Sequence, residues 1–230
     1  MIISTWNGQE KYLEGIDGID KIVLSDDPGE GPIQQWKRQT TSYINGFKAS
    51  TGDLVMVTRS DMIHNKDPFE YLDQYPSKTI NGLKMFDNKL VISNMMSINP
   101  DVPENPNTFR VCDWMQVGHR KDVQSWCDVM HHVDNLDIDL SDILFQSGQT
   151  CTEKLWFLSA LKNYHPHINL YDTKSIDHLA WETILSNFII LNTRTTLNSV
   201  NLNWKFQPED LHCYITQDIY HQKYTERFEL

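Results

Sequence analysis

Positive charge is scarce in this sequence of 230 residues. Lys and Arg together number 20 against 31 Asp and Glu, which gives a formal net charge of −11 at pH 7 and a pI near 5.2. An acidic surface of this kind repels phosphate backbones, and this excludes nucleic acid as a general partner. It also disfavours strong electrostatic attachment to an anionic membrane.

Long apolar runs and cysteine motifs are missing as well. No purely apolar run exceeds four residues, and the opening Met1-Ile2-Ile3 meets polar residues at once, so neither a transmembrane helix nor a signal peptide is predicted. The cysteines lie in apolar segments without C-x-x-C spacing, which is typical of reduced, buried thiols; they are Cys112, Cys127, Cys151 and Cys213. We therefore expect a cytoplasmic protein, either soluble or attached to a membrane only at its surface.

The common catalytic signatures are also absent. The sequence contains no G-x-S-x-G, Walker loop, H-E-x-x-H or G-x-G-x-x-G. These motifs place a nucleophile, a phosphate, a zinc ion or a dinucleotide, so the usual hydrolase, kinase, protease and dehydrogenase routes are excluded.

The first third of the chain alternates strands with one helix. Short β-branched runs at Met1 to Thr5 and Lys21 to Ser25 each end in turn residues, and Leu54 to Thr58 is continuously apolar, as in a parallel strand buried on both faces. Between Pro32 and Ser50 a helical stripe recurs, formed by Trp36, Tyr43, Ile44 and Phe47. This order predicts an α/β fold with an open, mostly parallel sheet flanked by helices.

The back half of the chain is predicted to be more helical. One stripe comprises Val123, Trp126, Cys127 and Met130, a capping box at Thr150 to Glu153 opens a second helix, and a third stripe comprises Trp181, Ile184, Leu185, Phe188 and Ile189. Without repeats or linkers, residues 1–230 are predicted to form one domain. Residues 1–75 would be its nucleotide-sized front half, and residues 76–230 its back half with the C-terminal helices.

Each predicted strand of the first third ends at, or is followed by, residues that are candidates for ligand contact. Ligands of open α/β sheets sit beyond the carboxyl ends of the strands, so these residues are predicted to share one rim. They are Ser4, Thr5, Trp6, Asp26, Asp27, Arg59, Ser60 and Asp61. Asp61 can hold Mg²⁺ or Mn²⁺, which prefer oxygen ligands, although a loop-capping role explains it equally well. Asp26 and Asp27 also fit a simple tight turn with the following Pro and Gly.

The order of these segments resembles the WavE family of lipopolysaccharide glycosyltransferases. The segments that carry the resemblance are ISTW, LSDDPG, WKRQTTSYINGFKAS, VTRSDM and, further on, FRVCDWMQVG. The resemblance covers residues 2–69 closely and 109–118 recognisably. Its most specific piece is R-Q-x-x-S followed some twenty residues later by R-S-D.

The resemblance implies a GT-A type fold that binds a nucleotide-sugar donor through a divalent metal, Mn²⁺ or Mg²⁺. Ser4, Thr5 and Trp6 would lie near the base, Asp26 and Asp27 near base or ribose, Arg38 near the diphosphate, and Asp61 would bind the metal. The usual D-x-D motif has its first position occupied here by Arg59. This substitution leaves metal dependence open, because Arg59 could itself neutralise the diphosphate.

Sugar transfer with inversion requires a carboxylate that takes the proton of the acceptor hydroxyl. Asp113 is the candidate base, and the neighbouring Trp114 offers a flat apolar surface to the acceptor sugar. A strand-end Asp and a packed Trp are the structural alternatives.

Other acidic and histidine motifs are weaker candidates. A literal D-x-D at Asp137 to Asp139 lies in an acidic stretch that is typical of a solvated loop, although it remains a rival for the metal. Glu153 is explained by its capping box. The pairs His131-His132 and His165 with His167 lack a second ligand cluster, so they are interpreted as surface residues.

The sequence therefore predicts a cytoplasmic glycosyltransferase. It would move a sugar from a nucleotide donor, more specifically a UDP-sugar, to a hydroxyl of a glycan or lipid-linked saccharide. A nucleotidyltransferase on a similar sheet is one alternative, which would need carboxylates for two metals. A noncatalytic sugar- or nucleotide-binding module is the other.

Overall fold

The protein is described by a computed structural model. It describes residues 1–29, 32–75, 78, 82–95, 97–102, 109–129, 152–170, 176–193, 196, 200–201 and 213–228, with the side chains of residues 32–36, 152, 200 and 201 left undescribed. Within these ranges the chain forms eight strands and five α-helices, in a mixed α/β arrangement.

The front of the molecule is a two-stranded parallel sheet covered by a helix. Strand β1 (Ile2–Trp6) pairs with β2 (Lys21–Ser25) from Ile2 opposite Lys21 to Trp6 opposite Ser25. Helix α1 (Pro32–Ala49) packs on both strands. The predicted stripe is confirmed at Tyr43, Ile44 and Phe47, which are buried.

A mixed four-stranded sheet forms the centre, in the order β3-β6-β5-β7. Its strands are β3 (Leu54–Thr58), β5 (Leu90–Ser93), β6 (Met115–His119) and β7 (Phe188–Leu191). Strand β6 runs antiparallel to both β3 and β5, and only β5 and β7 pair in parallel. A separate, short antiparallel sheet consists of β4 (Met62–Ile63) and β8 (Val200–Asn201).

Two expectations about this sheet were wrong. The sheet is mixed rather than mostly parallel, and β3 pairs antiparallel with a strand some sixty residues away, because an apolar run encodes burial but not the direction of its partner. Phe188 and Ile189, assigned to a helical stripe, instead begin β7, since the run FIIL is buried on both sides beside β5.

The helices of the back half pack on the sheet around one large core. They are α2 (Arg120–Asp128), α3 (Thr152–Tyr164), α4 (Leu179–Asn187) and α5 (Gln217–Phe228). This core joins side chains of α1 with aromatic residues of the back half, among them Trp126, Trp156 and Phe188. Of the cysteines, Cys112 and Cys127 are free and buried as predicted, whereas Cys213 is partly exposed, and Cys151 lies outside the described residues.

Among the helices that the structure describes, none has the length and apolarity needed to cross a membrane.

Candidate functional site

The carboxyl ends of β1 and β2 carry a polar cluster. Asn7 follows β1 and donates from Nδ2 to Asp26 Oδ1 at 2.7 Å, which links the two strand ends. Asp27 accepts two hydrogen bonds from Arg38, one of them from Nε to Oδ1 at 2.6 Å, and both side chains are about one-third exposed. This pairing, with help from the Gly29 N–H, lowers the pKa of Asp27, so that carboxylate stays ionised.

The predicted base-binding residues of β1 face different surroundings. Ser4 lies under α1: its backbone oxygen accepts from Ser42 Oγ at 3.0 Å, and Gly46 comes so close that an added Cβ would lie 3.0 Å from the Ser4 Cβ. Thr5 donates to Gln9 in the following turn, and Trp6 is partly exposed. Contacts of Ser4, Thr5 and Trp6 with a nucleotide base stay a prediction.

Beyond β3, Arg59 and Asp61 form a forked ion pair. Arg59 donates from Nε and Nη2 to the two oxygens of Asp61, each at 3.0 Å. Its guanidinium also lies over the Trp114 ring, 5.1 Å from the centroid. Ser60 is exposed in the turn between Arg59 and Asp61. Asp61 is more buried than its partner, with 13% of its side chain exposed against 41% for Arg59, so Asp61 orients a cation that faces outward.

This arrangement does not fit a divalent metal at Asp61. Both oxygens of that carboxylate already accept from Arg59. The described part of the chain also brings no three His, Cys, Asp or Glu side chains together in a way that could hold a metal ion. The rival D-x-D at Asp137 to Asp139 lies outside the described residues.

Asp113 is a buried carboxyl group with one occupied and one orphaned oxygen. Its side chain precedes β6 and is 3% exposed. Gln39 donates from Nε2 to Asp113 Oδ2 at 2.6 Å, and Tyr43 donates from its hydroxyl to the Asp113 backbone oxygen at 2.9 Å. The other oxygen, Oδ1, is buried and finds no hydrogen-bond partner among the described residues.

Burial, together with the negative charge of Glu153, raises the pKa of Asp113 to about 7, although Gln39 and Arg59 act in the opposite direction. A carboxyl group with such a pKa changes its protonation state near neutral pH. Trp114 beside it is also buried, in a small cluster with Met62, Met95 and Cys112, so its contact with an acceptor sugar stays a prediction.

Sequence reasoning missed two residues of this site, Gln39 and Glu153. Glu153 accepts from Arg110 Nη2 at 3.1 Å in a buried ion pair, a contact that the capping-box interpretation did not foresee. In the sequence, Gln39 stands out only as the second residue of the R-Q-x-x-S motif. Its partner Asp113 lies 74 residues further along the chain, and nothing in either segment signals that pairing.

Helix α1 connects the two polar clusters. Arg38 and Gln39 are neighbours on this helix, yet Arg38 binds Asp27 beyond β2 and Gln39 binds Asp113 before β6. Ser42, the last residue of the R-Q-x-x-S word, fastens the helix to β1. Helix α1 therefore contacts Asp27 through Arg38 and Asp113 through Gln39. Arg59, which is paired with Asp61, lies over the ring of Trp114, the residue that follows Asp113. The Ser4 backbone oxygen and the Thr5 hydroxyl are instead bonded to Ser42 and Gln9.

Comparison with known proteins shows the family of the chain. A family model described as WavE lipopolysaccharide synthesis matches residues 1–223, which is nearly the whole chain and extends well beyond residues 2–69 and 109–118. No curated protein and no solved structure matches the chain. The segments that carry the resemblance also contain the main residues of the candidate site, which are Arg38, Gln39, Arg59, Asp61 and Asp113. The chain belongs to the WavE family of lipopolysaccharide synthesis.

Proposed function

We propose that this protein is a glycosyltransferase that moves a sugar from a nucleotide-sugar donor to a hydroxyl group of a lipopolysaccharide-type glycan. The family places the chain in lipopolysaccharide synthesis, and the observation that carries the proposal is Asp113. A buried carboxyl group with a pKa of about 7 and one orphaned oxygen is costly to maintain, and a ligand hydroxyl would satisfy it.

The chemistry assigned to Asp113 is general-base catalysis. The acceptor hydroxyl would donate its hydrogen bond to Oδ1, and its oxygen would attack C1 of the donor sugar. The bond between C1 and the phosphate oxygen breaks, the electron pair leaves with the diphosphate, and the acceptor proton passes to Asp113. Gln39, bound to Oδ2, would keep Oδ1 directed at the acceptor.

Two arginines can meet the charge that develops on the diphosphate. Arg59 uses two of its donors on Asp61, which leaves its outer N–H groups for an anion. Arg38 is held by Asp27 at the ends of β1 and β2. Fixed cations that need no reorganisation during reaction stabilise a leaving diphosphate effectively.

Several finer points belong to this proposal. A GT-A type fold is part of the proposal, and its support is the parallel β1–β2 pair covered by α1. A UDP-sugar is the first donor to test, and Asp26 and Asp27 are its proposed contacts to base or ribose. Mn²⁺ or Mg²⁺ at Asp61 stays a prediction that the Arg59 fork argues against, so the mechanism uses no metal step.

A thermal-shift panel tests donor binding. UDP, GDP, CMP and ADP and their sugar conjugates would each be added with and without Mn²⁺. A nucleotide at 100 times its Kd should add about 2.7 kcal/mol of stability, which raises the Tm of a chain of this size by roughly 5–10 °C. A shift with one nucleotide class would support the proposal and name the donor. A chain that no nucleotide stabilises under either condition would contradict it.

A further inference from the structure

A second buried oxygen close to Asp113 lacks a donor in the part of the chain that the structure describes. Gln116 lies in β6 and is fully buried, and its Oε1 has no hydrogen-bond partner among the described residues. The orientation of its amide is fixed, because Nε2 donates to the Cys112 backbone oxygen at 3.3 Å and only the nitrogen of an amide can donate. Gln116 Oε1 is therefore an orphaned acceptor, as Asp113 Oδ1 is.

The hydrogen bond of Gln116 brings its amide to the backbone of Asp113. The oxygen that accepts it belongs to the peptide group that joins Cys112 to Asp113. The next carbonyl, that of Asp113 itself, accepts from the Tyr43 hydroxyl at 2.9 Å. The two carbonyls that flank the Asp113 side chain are thus each held by a buried residue, one from β6 and one from α1.

Gln116 and Asp113 both face the core that packs against α1. Gln116 lies opposite Ile92 on β5 and Val57 on β3, and directly opposite residues of an antiparallel pair project to the same side of a sheet. Ile92 belongs to the large core that contains Tyr43 of α1, and Val57 packs against it. The side chain of Asp113 is bonded to the same helix. The two orphaned oxygens therefore lie on one side of the sheet, three residues apart in the chain.

Two buried acceptors on one side of a sheet suit a ligand that carries two donors. An acceptor without a donor in the protein interior destabilises the fold, and a bound hydroxyl group removes that penalty. Gln39 contacts Asp113 and is itself partly exposed, so the carboxyl group lies one layer of side chains below the surface. Hydroxyl groups on neighbouring carbons of a sugar ring are a pair of donors with fixed spacing.

We propose that Gln116 is a specificity-determining residue, whose Oε1 accepts from a second hydroxyl group of the acceptor sugar while Asp113 Oδ1 accepts from the reacting one. The site then selects acceptors that carry a free hydroxyl group on a carbon next to the one that is glycosylated. The second hydroxyl keeps its proton, and Gln116 takes no part in making or breaking bonds. This inference rests on the proposed function, since it names the class of acceptor for the same site.

Deoxygenated acceptors test this contact directly. The nucleotide sugar identified by thermal shift is combined with a panel of methyl hexopyranosides, and the best acceptor is compared with its analogues that lack one neighbouring hydroxyl. In wild type, loss of the hydroxyl that Gln116 binds should lower kcat/KM by roughly 30-fold, because Oε1 is left unpaired. In Gln116→Met, the same analogue and its parent acceptor should differ by less than about threefold.

Ser97→Ala is the matched control for damage to the backbone at Asp113. The Ser97 hydroxyl accepts from the Cys112 N–H at 2.9 Å, so this variant removes another support of the same segment and leaves Gln116 in place. It should slow transfer to the parent acceptor and to the deoxy analogue by the same factor. If Gln116→Met does not fold, Gln116→Asn withdraws the amide by one methylene group and provides the same comparison.

The outcomes separate this inference from the proposed function. A deoxygenation penalty that is present in wild type and Ser97→Ala but lost in the Gln116 variant would support the inference. A penalty of equal size in all three proteins, or no penalty in wild type, would overturn it and leave Gln116 as a support of the Cys112 backbone. Wild type that binds the nucleotide sugar but transfers to no methyl hexopyranoside would overturn it as well. Wild type that binds no nucleotide would instead contradict the proposed function.

Discussion

Asp113 is a buried carboxyl group whose ionisation destabilises the native state. Its pKa is raised from 3.8 to about 7, so the native state binds its proton more tightly than the unfolded chain does between those values. The stability that follows is fully present below pH 4 and is lost as the pH rises through about 7. An uncharged side chain at this position would not cause this loss of stability at high pH.

Replacing Asp113 with Asn should therefore stabilise the fold at high pH. We expect Asp113→Asn to be more stable than wild type at pH 8 by on the order of 1–3 kcal/mol, with the difference shrinking toward pH 4. Chemical denaturation at several pH values measures this. A variant less stable than wild type at pH 8 would show that the ionised Asp113 makes native contacts that the structure does not contain.

The same group sets the expected pH profile of activity. A general base must be ionised, so kcat/KM should rise with pH and level off above about 7, the pKa of Asp113. Initial rates from pH 5 to 9 provide the measurement, with donor binding followed separately at each pH. An acidic limb near pH 4 would identify an ordinary exposed carboxylate as the base instead.

Asp61 can be tested as the residue that orients Arg59. In Asp61→Asn the fork loses its charge, and we expect donor binding to weaken by about tenfold while its response to Mn²⁺ and EDTA stays as in wild type. Arg59→Met should weaken binding more strongly, because the cation itself is lost. Isothermal titration gives both values. Mn²⁺-dependent binding that disappears in Asp61→Asn would instead identify Asp61 as a metal ligand.

At the scale of elements, α1 is the part that organises the site. Its inner face packs in the core through Tyr43, Ile44 and Phe47, and its first half presents Arg38 and Gln39 to the two polar clusters. Because one helix carries both residues, a shift of α1 would move Arg38 and Gln39 together, and with them the contacts to Asp27 and Asp113.

A second buried titratable group lies just before β5, against two aromatic rings of α5. Lys89 is 2% exposed, and its Nζ lies 4.3 Å from the Tyr224 ring centroid and 5.3 Å from that of Phe228. Within the described residues this amine has no hydrogen-bond partner. Burial, with a smaller effect of Lys78, lowers its pKa to about 7.

Lys89→Met should therefore stabilise the protein most at low pH. Between pH 7 and 10.5 the unfolded chain holds the Lys89 proton more tightly than the native state does, so this residue makes wild-type stability rise with pH. The contribution is at most about 1.4 kcal/mol per pH unit. Denaturation at pH 6, 8 and 10 should show the advantage of Lys89→Met shrinking as pH rises. A constant difference would mean that Lys89 titrates normally in the native state.

The elements themselves were largely predictable, but their pairing was not. The ranges of β2 and β3 agree with their apolar and β-branched runs, and α1 ends one residue before the predicted limit. The antiparallel pairing of β3 with β6 and the parallel entry of β7 depend on contacts over sixty to a hundred residues, which no local pattern encodes. The Gln39–Asp113 hydrogen bond could not be predicted for the same reason, because its partners lie 74 residues apart. Asp113 itself was a candidate because it lies in FRVCDWMQVG, a segment that carries the family resemblance.

At the scale of the whole molecule, the net charge of −11 limits where an anionic donor can bind. The long-range field repels diphosphates, so binding depends on local cations such as Arg38 and Arg59 that their carboxylates hold in place. Added salt screens this long-range repulsion.

The central claim is that a nucleotide-sugar transferase works through Asp113, and one comparison tests it most directly. Release of nucleoside diphosphate from a nucleotide sugar is measured with and without a lipopolysaccharide oligosaccharide acceptor, for wild type and Asp113→Asn, alongside nucleotide Kd. The account predicts acceptor-dependent release by wild type, with Asp113→Asn binding the nucleotide equally well and turning over at least about 100-fold more slowly. Wild-type turnover in Asp113→Asn would contradict the account, and so would a wild-type protein that binds no nucleotide.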